Sequence, residues 1–444
     1  MNIILLSGGS GMRLWPLSTS ARSKQFLKLL QDENGRPESM VQRVYRQLSN
    51  SGLETKHILM ATAAAQREAI YGQLGKQVEI VSEPERRNTF PAILLSAAYL
   101  YFEKKCSPDE VVVVMPVDTY TEPAYFDVLR QMAQAAGSAR ADLILMGIKP
   151  SEVSEKYGYM LPKSGESDGL IAIDRFVEKP AAALAKKMIA GGAMWNGGVF
   201  AFRLGFAMKI AEESLHPQSF ADIRERYSEL PNESFDHAVA EKTKSIAMVP
   251  FDGLWKDLGT WNTLTEELAA NRIGKAVLSE DTRNTHVINE LNIPVVTLGT
   301  KDLIVAAGYD GILVADKAKS ASLKKYVPQA RRPMYEERRW GEYCVIDSTE
   351  LSDTASLTKH LFLKTGASIS YQRHAKRDEI WIVIDGEGEL VLDGHRSRVG
   401  RQDVVRIEKG RLHAIRAITD LQMIEVQIGS ELTESDIERF DWRW

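Results

Sequence analysis

A glycine-rich turn near the amino terminus carries the residues that point most directly to chemistry. The apolar run Ile3–Leu6 leads into a loop, Gly8–Leu14, with the sequence GGSGMRL. Backbone N–H groups of such a turn can approach a phosphate closely, because glycine has no Cβ. Arg13 and, further along, Lys24 place two cations behind the turn, which suits a triphosphate and a departing pyrophosphate. We therefore expect a phosphate-binding loop.

Two common phosphate loops do not fit this string. The dinucleotide-binding pattern would place a third glycine at the position of Leu14. The P-loop would end in Gly-Lys-Ser/Thr, which is missing here. For a bare Gly-x-Gly the alternative would be a plain βα turn with surface cations; the longer string favours phosphate binding.

Two aspartates could complete a metal-assisted phosphate site. Asp118 follows Val111–Val117, which has the pattern of a buried strand. A carboxylate at the end of such a strand lies at the ligand edge of the sheet, where Mg²⁺ can meet phosphate oxygens. Asp257, within Trp255–Trp261, is the candidate second ligand. Taken singly, either aspartate would fit an ordinary cap or turn.

A second cluster lies in a glycine-bracketed, β-rich stretch near the carboxyl end. Gln372 and His374 are two residues apart on a predicted strand, so both side chains point to one face. Glu379 and His413 could complete a small metal site inside a barrel. Mixed nitrogen and oxygen ligands suit Zn²⁺, Mn²⁺, Fe²⁺, Ni²⁺ or Co²⁺, and the sequence does not distinguish among them.

The elements that must position the first cluster alternate in type. Strands and helices in alternation predict an α/β fold with a mostly parallel sheet covered on both faces, which binds ligands beyond the carboxyl ends of its strands. The predicted strands are Ile3–Leu6, His57–Ala61, Val78–Val81, Val111–Met115 and Leu143–Gly147. The predicted helices are Ser39–Leu48, Gln66–Leu74, Pro91–Lys104 and Tyr125–Ala136.

The pattern changes near residue 270. Thr285–Lys317 is rich in Val and Ile and has turn signals, which predicts a small β unit. Ala318–Arg339 is charged and contains two prolines, as is typical of a connector. From Glu342 onward, Asp-Gly pairs between alternating stretches predict β-hairpins.

Composition excludes several classes of protein. A chain of 444 residues is too long for one ordinary core, so we expect two or three domains. The net charge of -4 provides no basic field for nucleic acid or an anionic membrane. No apolar run reaches the roughly 18 residues that a membrane span needs. The two cysteines, Cys106 and Cys344, favour a reducing compartment, and we expect a cytoplasmic protein.

Taken together, these residues resemble the sugar-1-phosphate nucleotidyltransferases. The closest similarity is to the long bacterial mannose-1-phosphate guanylyltransferases, whose fusion form carries a type II mannose-6-phosphate isomerase domain of the cupin class. The resemblance covers nearly the whole chain and rests on segments in a specific order: Gly8–Leu17, Ser23–Leu27, Glu83-Pro84, Arg87–Thr89, Pro116–Asp118, Tyr157–Tyr159, Phe176–Pro180, Trp195–Gly198 and Trp255–Trp261.

The resemblance implies a domain division and a set of site residues. It implies a Rossmann-like nucleotidyltransferase domain at 1–268, a small β-rich domain with its connector at 269–330, and a cupin β-barrel at 331–444. The nucleotide would contact Ser7, Gly8, Gly9, Gly11, Arg87 and Asn88. Arg13 and Lys24 would neutralise the phosphates, and Asp118 and Asp257 would hold Mg²⁺. The sugar would contact Gly158, Glu178 and Asn196, with Lys179 on its phosphate.

The chain departs from the family pattern in both domains. The family usually has Pro-Ala-Asp-His at Pro116–Thr119 and Trp-Asn-Ser-Gly at Trp195–Gly198. In the cupin, Gln372, His374, Arg377, Glu379 and Trp381 match the family string, whereas Ala375, Lys376 and Ile380 replace three histidines. The proposed ligands are kept, while the isomerase pocket, to which Arg377 would belong, is altered.

The expected reaction joins mannose 1-phosphate to GTP, giving GDP-mannose and pyrophosphate by in-line attack on the α-phosphorus. No general base is needed, because the sugar phosphate is already largely dianionic at neutral pH. The cupin could also interconvert mannose 6-phosphate and fructose 6-phosphate. A transferase for another sugar phosphate or base, and a sugar-nucleotide-binding regulator without turnover, are the alternatives. Pairing of the small β unit between chains would give a homodimer.

Overall fold

The computed structural model describes residues 1–9, 12–19, 22–163, 169–327, 334–350 and 352–444. The chain divides into two compact units. The first consists of Met1–Ser10, Ser23–Arg67 and Lys76–Ala269, and the second of Gly11–Arg22, Glu68–Gly75 and Ala270–Trp444. Two short segments from the first 75 residues therefore group with the carboxyl-terminal part of the chain. The three-domain division at 268 and 330 stays a prediction.

The strands of the first 260 residues follow the predicted alternation with helices. They are β1 (Asn2–Leu6), β2 (Leu30–Gln31), β3 (Pro37–Glu38), β4 (His57–Ala63), β5 (Glu79–Glu83), β6 (Val111–Pro116), β7 (Thr119–Thr121), β8 (Leu143–Ile148), β9 (Tyr159–Pro162), β10 (Ile171–Val177), β11 (Met194–Arg203), β12 (Ile246–Phe251) and β13 (Trp255–Asp257). The helices are α1 (Met40–Asn50), α2 (Arg67–Leu74), α3 (Thr89–Ala98), α4 (Ala124–Gly137), α5 (Ala182–Ala190), α6 (Leu204–Leu215), α7 (Phe220–Glu225) and α8 (Trp261–Thr265).

One large sheet forms the centre of the first unit, with the strand order β5-β4-β1-β6-β11-β8-β12-β10-β9. The predicted α/β fold is confirmed, but the sheet is mixed rather than mostly parallel. β5, β4, β1 and β6 are parallel, as are β8 and β12, whereas β11 runs antiparallel to both β6 and β8. Sequence periodicity predicts that a segment is a strand but not which strand it pairs with, so the inserted antiparallel strand was not foreseen.

Burial explains why these segments are strands and helices. Val112, Val113 and Val114 of β6 are fully buried, as expected for a strand covered on both faces. α3 is buried along nearly its whole length and packs into the same core as Phe200 and Phe202 of β11. α1 begins at a capping box in which Ser39 and Gln42 satisfy each other's backbone N–H groups.

The second unit contains two small sheets, one of four strands and one of two, in which most strand pairs are parallel. Their strands are β14 (Arg272–Ile273), β15 (Ala276–Leu278), β16 (His286–Asn289), β17 (Val295–Thr297), β18 (Leu303–Gly308) and β19 (Gly311–Asp316). β14, β16 and β18 pair in parallel and β19 closes the sheet antiparallel to β18, while β15 pairs in parallel with β17. The prediction of a β unit in this region is therefore confirmed.

The rest of the second unit is a cupin of two facing sheets. Its strands are β20 (Tyr335–Arg338), β21 (Gly341–Glu350), β22 (Ala355–Leu363), β23 (Tyr371–Arg373), β24 (Arg377–Asp385), β25 (Glu387–Leu392), β26 (His395–Gly400), β27 (Val404–Ile407), β28 (His413–Ala417), β29 (Leu421–Gly429) and β30 (Glu438–Phe440). The sheets have the orders β20-β21-β22-β29-β24-β27 and β26-β25-β28-β23-β30. An apolar cluster that includes Trp381, Ile415 and Met423 fills the space between them.

Neither cysteine forms a disulfide; Cys106 is buried and Cys344 is partly buried. Across the described part of the chain, every helix is too short or too polar to cross a bilayer.

Candidate functional site

The glycine loop leaves the carboxyl end of β1 and is held by polar side chains from neighbouring segments. Gln25 Nε2 donates to the carbonyl oxygen of Ser7 at 3.0 Å, and Ser23 Oγ donates to that of Gly9 at 3.1 Å. Gln66 Nε2 also donates to Gly9 O, at 3.3 Å. Gly8 and Gly9 are exposed, and Gly9 has a φ of +114°, which side-chain-bearing residues rarely adopt. The loop is thus fixed through its carbonyl groups.

Lys24 and the two predicted metal ligands come together at the same sheet edge. Lys24 Nζ lies 2.6 Å from Asp118 Oδ2 and 3.6 Å from Asp257 Oδ1. The two aspartates meet because β7 and β13 form a short antiparallel ladder in which Asp257 pairs with Thr119, the residue after Asp118. The sequence predicted both aspartates, but the ladder that joins them is a tertiary feature.

This cluster fits a divalent cation. Asp257 Oδ1 is buried, and no group in the described ranges donates a hydrogen bond to it. Gly259 packs so closely that an added Cβ would lie 2.8 Å from that oxygen. Two carboxylates with an unsatisfied oxygen are the donor set that Mg²⁺ prefers. Asp118 and Asp257 can therefore hold Mg²⁺, with Lys24 balancing part of their charge.

Arg13 of the predicted phosphate loop groups with the second unit. Arg13 is exposed in the 3₁₀ turn Met12–Leu14, which belongs to the second unit. Its turn is closed by a hydrogen bond from Leu14 N to Ser18 Oγ at 3.2 Å. Gly11, a predicted nucleotide contact, lies outside the described residues. The roles of Arg13 and Gly11 stay predictions.

The three predicted sugar contacts converge from three adjacent strands. Glu178 follows Val177 of β10 and Asn196 follows Trp195 of β11, and both Val177 and Trp195 pair with Tyr159, the residue after Gly158. Asn196 N donates to Gly158 O at 2.8 Å. A Cβ added to Gly158 would lie 2.6 Å from Glu178 Oε2 and 3.4 Å from Asn196 Cβ, so only glycine permits this close packing of the three residues.

Glu178 and its neighbours have the polar groups that a sugar hydroxyl needs. Glu178 Oε2 is buried and accepts no hydrogen bond from any described residue. Its other oxygen, Oε1, accepts from Lys179 Nζ, which is otherwise exposed. An unsatisfied buried acceptor is a favourable position for a hydroxyl donor.

Tyr157 lies between the predicted sugar contacts around Asn196 and the predicted metal ligand Asp257. Its ring lies 4.8 Å from the Trp195 ring, next to Asn196, and 5.3 Å from the Trp255 ring, on the strand of Asp257. Burial, followed by the negative charges of Asp257 and Glu152, raises the pKa of Tyr157 to about 12. Tyr157 therefore stays neutral and acts as an aromatic wall between the two halves.

The predicted nucleotide contacts Arg87 and Asn88 have structural partners. Arg87 Nη1 donates to the carbonyl oxygen of Leu230, and Arg87 Nε lies 2.7 Å from Glu85 Oε1. Asn88 caps α3, where its side chain accepts from Thr89 N at 2.9 Å. Both residues tie the start of α3 to the segment near residue 230, and their nucleotide contacts stay predictions.

The cupin places three of the four predicted ligands around one point. Ligand atoms of His374, Glu379 and His413, all buried, lie within 4.8 Å of one another. His374 Nδ1 is 3.1 Å from Asp436 O, and His413 Nδ1 is 3.0 Å from Arg411 O. These backbone carbonyls hold both rings so that their Nε2 atoms face the centre, a common arrangement around metals. Gln372, the fourth predicted ligand, pairs in register with His413.

The burial and protonation of the ligand atoms show whether the cupin centre fits a metal. His413 Nε2 is buried and has no hydrogen-bond partner in the described part of the chain. Burial lowers the pKa of His413, so its ring is neutral and its lone pair is available. Burial opposes ionisation of Glu379, but the hydrogen bond from His374 and the charge of Arg377 hold its pKa well below the usual range. The centre therefore offers a carboxylate and neutral imidazole, which fit a transition metal.

Arg377 and a charged cavity complete the cupin site. Arg377 Nε donates to Glu379 Oε1 at 3.0 Å, and Gln427 Nε2 donates to the same oxygen at 3.0 Å. A cavity of about 250 Å³ opens beside this cluster and includes Gln372 and Glu379 in its lining. Its further cationic and aromatic lining residues are Arg338, Arg339, Trp340, Tyr343, Lys359 and Arg439. Glu68 and Glu425 also line the cavity, but the cationic side chains outnumber the acidic ones, which suits an anionic ligand.

The residues that replace the family's histidines lie at the edge of this centre. Ala375 N donates to Asp436 Oδ1 at 3.0 Å, and Lys376 Nζ pairs with Glu431 on the surface. The imidazoles that the resemblance would place here are absent from the sequence, so the pocket wall differs from the family pattern.

Several site residues were not foreseen from the sequence. Asp236 accepts a hydrogen bond from Asn196 Nδ2, and Glu241 Oε1 accepts one from Glu178 N at 3.0 Å. In the cupin, Lys359 and Glu425 form a buried ion pair at 3.4 Å. None of these four residues lies in a glycine-bracketed or strand-end motif. Strand register and long-range packing bring them to the sites.

A sheet with a glycine loop, a lysine and two paired aspartates at one edge defines a nucleotidyltransferase, and the attached cupin defines a second module. Comparison with protein families agrees. Residues 2–272 match the family "Nucleotidyl transferase", and residues 328–442 match "Mannose-6-phosphate isomerase C-terminal".

Relatives of known function match over the whole chain. Mannose-1-phosphate guanylyltransferase ManC of Salmonella typhimurium is 31% identical over 99% of this chain and 97% of its own length. Xanthan biosynthesis protein XanB of Xanthomonas campestris is 32% identical over the same shares. A solved Thermus thermophilus structure, titled mannose-1-phosphate geranyltransferase, is 27% identical with a TM-score of 0.62, covering 73% of this chain and 97% of that one. The chain therefore belongs to the nucleotidyl transferase family, in its long bacterial form with a carboxyl-terminal mannose-6-phosphate isomerase domain.

Proposed function

We propose that this protein condenses mannose 1-phosphate with GTP to give GDP-mannose and pyrophosphate. The observation that carries the proposal is the cluster of Lys24, Asp118 and Asp257 at the sheet edge beside the glycine loop. The relatives' names supply the sugar and the base.

The main role of the site is to neutralise negative charge on the substrates. The attacking sugar phosphate and the nucleoside triphosphate are both anions, so the barrier lies in bringing them together and stabilising charge at the α-phosphorus. Lys24 neutralises phosphate charge, and Arg13 is proposed to do so from the glycine loop. Asp118 and Asp257 would hold Mg²⁺, which when bound supplies positive charge to the triphosphate.

The sugar phosphate is positioned on the other side of Tyr157. Glu178 Oε2 would accept from a sugar hydroxyl, and Asn196 would donate to another. Lys179 would pair with the phosphate, exchanging its contact with Glu178 for the substrate. The phosphate oxygen is already a nucleophile, so the absence of a histidine among these residues is consistent with the chemistry.

A panel of GTP, ATP, CTP and UTP with several sugar 1-phosphates, followed by pyrophosphate release, tests this proposal. Turnover specific to GTP and mannose 1-phosphate is the expected result. Turnover with another pair would make the protein a related transferase. No release with any pair would favour a sugar-nucleotide-binding regulator, against which the joint presence of Lys24, Asp118 and Asp257 argues.

A second candidate function, mannose-6-phosphate isomerisation, rests on the cupin centre. The unpartnered His413 Nε2 and the cationic cavity favour a metal and an anionic sugar phosphate. His374, Glu379 and His413, with Gln372, would hold a divalent ion that polarises a carbonyl when bound. Arg377 would bind or orient the substrate. Fructose 6-phosphate formation from mannose 6-phosphate, with and without added Zn²⁺, Mn²⁺, Fe²⁺, Ni²⁺ or Co²⁺, decides this.

We also propose a cellular compartment and an oligomeric state for the protein. Both substrates are small soluble anions, so we propose that the protein works in the cytoplasm and supplies GDP-mannose for polysaccharide synthesis, as the name of XanB suggests for that relative. We also propose a homodimer formed through the small β sheets. Light scattering at micromolar concentration would measure the mass.

A further inference from the structure

A short π-helical turn and the residue after it provide two carboxylates beside the sugar contacts, and neither has a role in the proposed reaction so far. The turn spans Asp236–Ala240, and Glu241 N donates to Asp236 O at 2.9 Å, a bond between residues five apart. This wider turn places Asp236 and Glu241 one above the other on one side of the helix. Such insertions occur frequently at functional sites.

Each of these carboxylates holds one of the sugar contacts. Asp236 Oδ1 accepts from Asn196 Nδ2, and Glu241 Oε1 accepts from the backbone N–H of Glu178 at 3.0 Å. The amide oxygen of Asn196 accepts from Gly198 N at 3.0 Å. The orientation of the Asn196 amide is therefore set on both sides, and in the described residues its second Nδ2 hydrogen has no partner.

The turn is firmly anchored, so it can act as a rigid support. Phe235, just before it, is fully buried, and its ring lies 4.9 Å from Phe200 and 5.9 Å from Phe202 of β11, the strand that carries Asn196. Phe235 N also donates to Thr89 Oγ1 at 2.9 Å. The turn and the strand therefore share one packed core.

We propose that Asp236 is a positioning residue for the sugar 1-phosphate. It holds the Asn196 amide so that the free N–H points to a sugar hydroxyl, while Glu241 holds the backbone of Glu178, the second sugar contact. The inference rests on the proposed transferase function, and it adds a determinant of sugar binding that acts through Asn196 rather than by touching phosphate.

Three variants of the full chain test this role. Asp236→Ala removes the acceptor, Asp236→Asn keeps an acceptor oxygen without the charge, and Asp127→Ala is a matched control on the exposed face of α4, where Asp127 pairs with Arg130. Pyrophosphate release is measured with GTP and mannose 1-phosphate. We expect Asp236→Ala to raise the KM for mannose 1-phosphate about ten-fold or more. The KM for GTP should stay within about two-fold, because the nucleotide does not depend on Asn196.

Rescue by the conservative variant separates positioning from a merely structural role. Asp236→Asn should restore the KM for mannose 1-phosphate to within about three-fold of wild type, because its oxygen can still accept from Asn196. An unchanged sugar KM in Asp236→Ala would overturn the inference. Equal increases in both KM values, or equal damage in Asp236→Ala and Asp236→Asn, would also overturn it.

Failure of the transferase proposal can be distinguished from failure of the proposed role of Asp236. If wild type shows no turnover with any pair of substrates, the transferase proposal fails by itself. Crystal structures of wild type and Asp236→Ala then decide the inference: a rotated Asn196 amide in the variant supports it, and an unmoved amide overturns it.

Discussion

Lys24 Nζ lies 2.6 Å from Asp118 Oδ2, although the two residues come from the segment after the glycine loop and from the end of β6. The contact places a fixed cation against a candidate metal ligand. It balances part of the charge of the carboxylate, and it places the lysine where phosphate oxygens would bind.

Asp257→Asn should abolish nucleotide transfer while leaving the fold intact. The amide lacks the charge that a Mg²⁺ ligand supplies, and we expect turnover to fall about a hundred-fold or more, since several kcal/mol of transition-state stabilisation depends on the ion. Pyrophosphate release and circular dichroism measure the two effects. Asp252→Asn, an exposed aspartate five residues earlier that pairs with Lys149, is the control. Near-normal turnover in Asp257→Asn would rule out the metal assignment.

Gly158→Ala should selectively weaken sugar binding. The added methyl group would lie 2.6 Å from Glu178 Oε2 and 2.9 Å from the Phe176 ring, so the carboxylate must move. We expect kcat/KM for the sugar 1-phosphate to fall about ten-fold or more, with little change in the KM for GTP. Gly137→Ala, whose Cβ would meet Val111 at an ordinary 3.4 Å, is the matched control. Unaltered sugar kinetics would contradict the placement of the sugar.

Arg22→Ala should destabilise the second unit. Arg22 Nη1 lies 2.8 Å from Glu290 Oε2, its Nε lies 3.5 Å from Glu337 Oε1, and its guanidinium stacks on Tyr335. Removing it leaves partly buried carboxylates unpaired, which costs about 3 kcal/mol. Differential scanning calorimetry should detect a lower transition temperature. Arg396→Ala, an exposed pair with Glu389, should change stability by less than about 1 kcal/mol. Equal effects of the two variants would contradict the prediction.

His413→Ala should remove the metal from the cupin. Its Nε2 atom is one of three converging ligand atoms, and losing one of them weakens a small site severely. Elemental analysis of the purified protein should find about one transition-metal ion per chain in wild type and far less in the variant. His395→Ala, an exposed histidine on β26, should keep wild-type content. Equal metal content in wild type and His413→Ala would exclude this centre.

Wild type should become more stable relative to the Asp236→Asn variant as the pH is lowered, because Asp236 takes up a proton. Burial, then the negative charge of Glu178, raises the pKa of Asp236 to about 6, while Lys179 and the Asn196 hydrogen bond act in the other direction. A raised acid pKa favours the folded state below the unfolded value near 4, and this contribution is lost as pH rises through about 6.

When the pH is lowered from 7.5 to 5, the free energy of unfolding of wild type should therefore rise by about 1 kcal/mol relative to that of Asp236→Asn. For a unit of this size, this corresponds to a change of roughly 2 °C in the difference between the two transition temperatures. Scanning calorimetry at both pH values measures it. A constant difference would mean that Asp236 titrates normally.

Much of the fold could be read from local patterns. The alternation of strands and helices, the valine run of β6 and the hairpin signals after residue 342 depend on burial and turn chemistry within a few residues, so sequence predicts them. The mixed sheet could not be predicted, because the insertion of β11 between β6 and β8 depends on contacts nearly 90 residues apart.

The candidate site divides in the same way. Gly8, Lys24 and Asp118 stand in compact motifs whose residue types already indicate phosphate and metal chemistry, whereas the sugar roles of Glu178 and Asn196 were implied by the family resemblance. Their order along the chain was enough to indicate the family. What the sequence could not provide is which of these groups meet and what holds them.

Tertiary structure decided three relationships. The β7–β13 ladder sets Asp257 beside Asp118, Tyr157 lies between the aromatic rings next to both halves, and the π-helical turn brings Asp236 to Asn196. Strand register and a locally widened helix are properties of long-range packing, and no short motif encodes them. The sequence by itself therefore determined the chemical groups and the family, whereas the folded chain determined their partners, since a hydrogen bond or ion pair forms only where packing brings distant residues within about 3 Å.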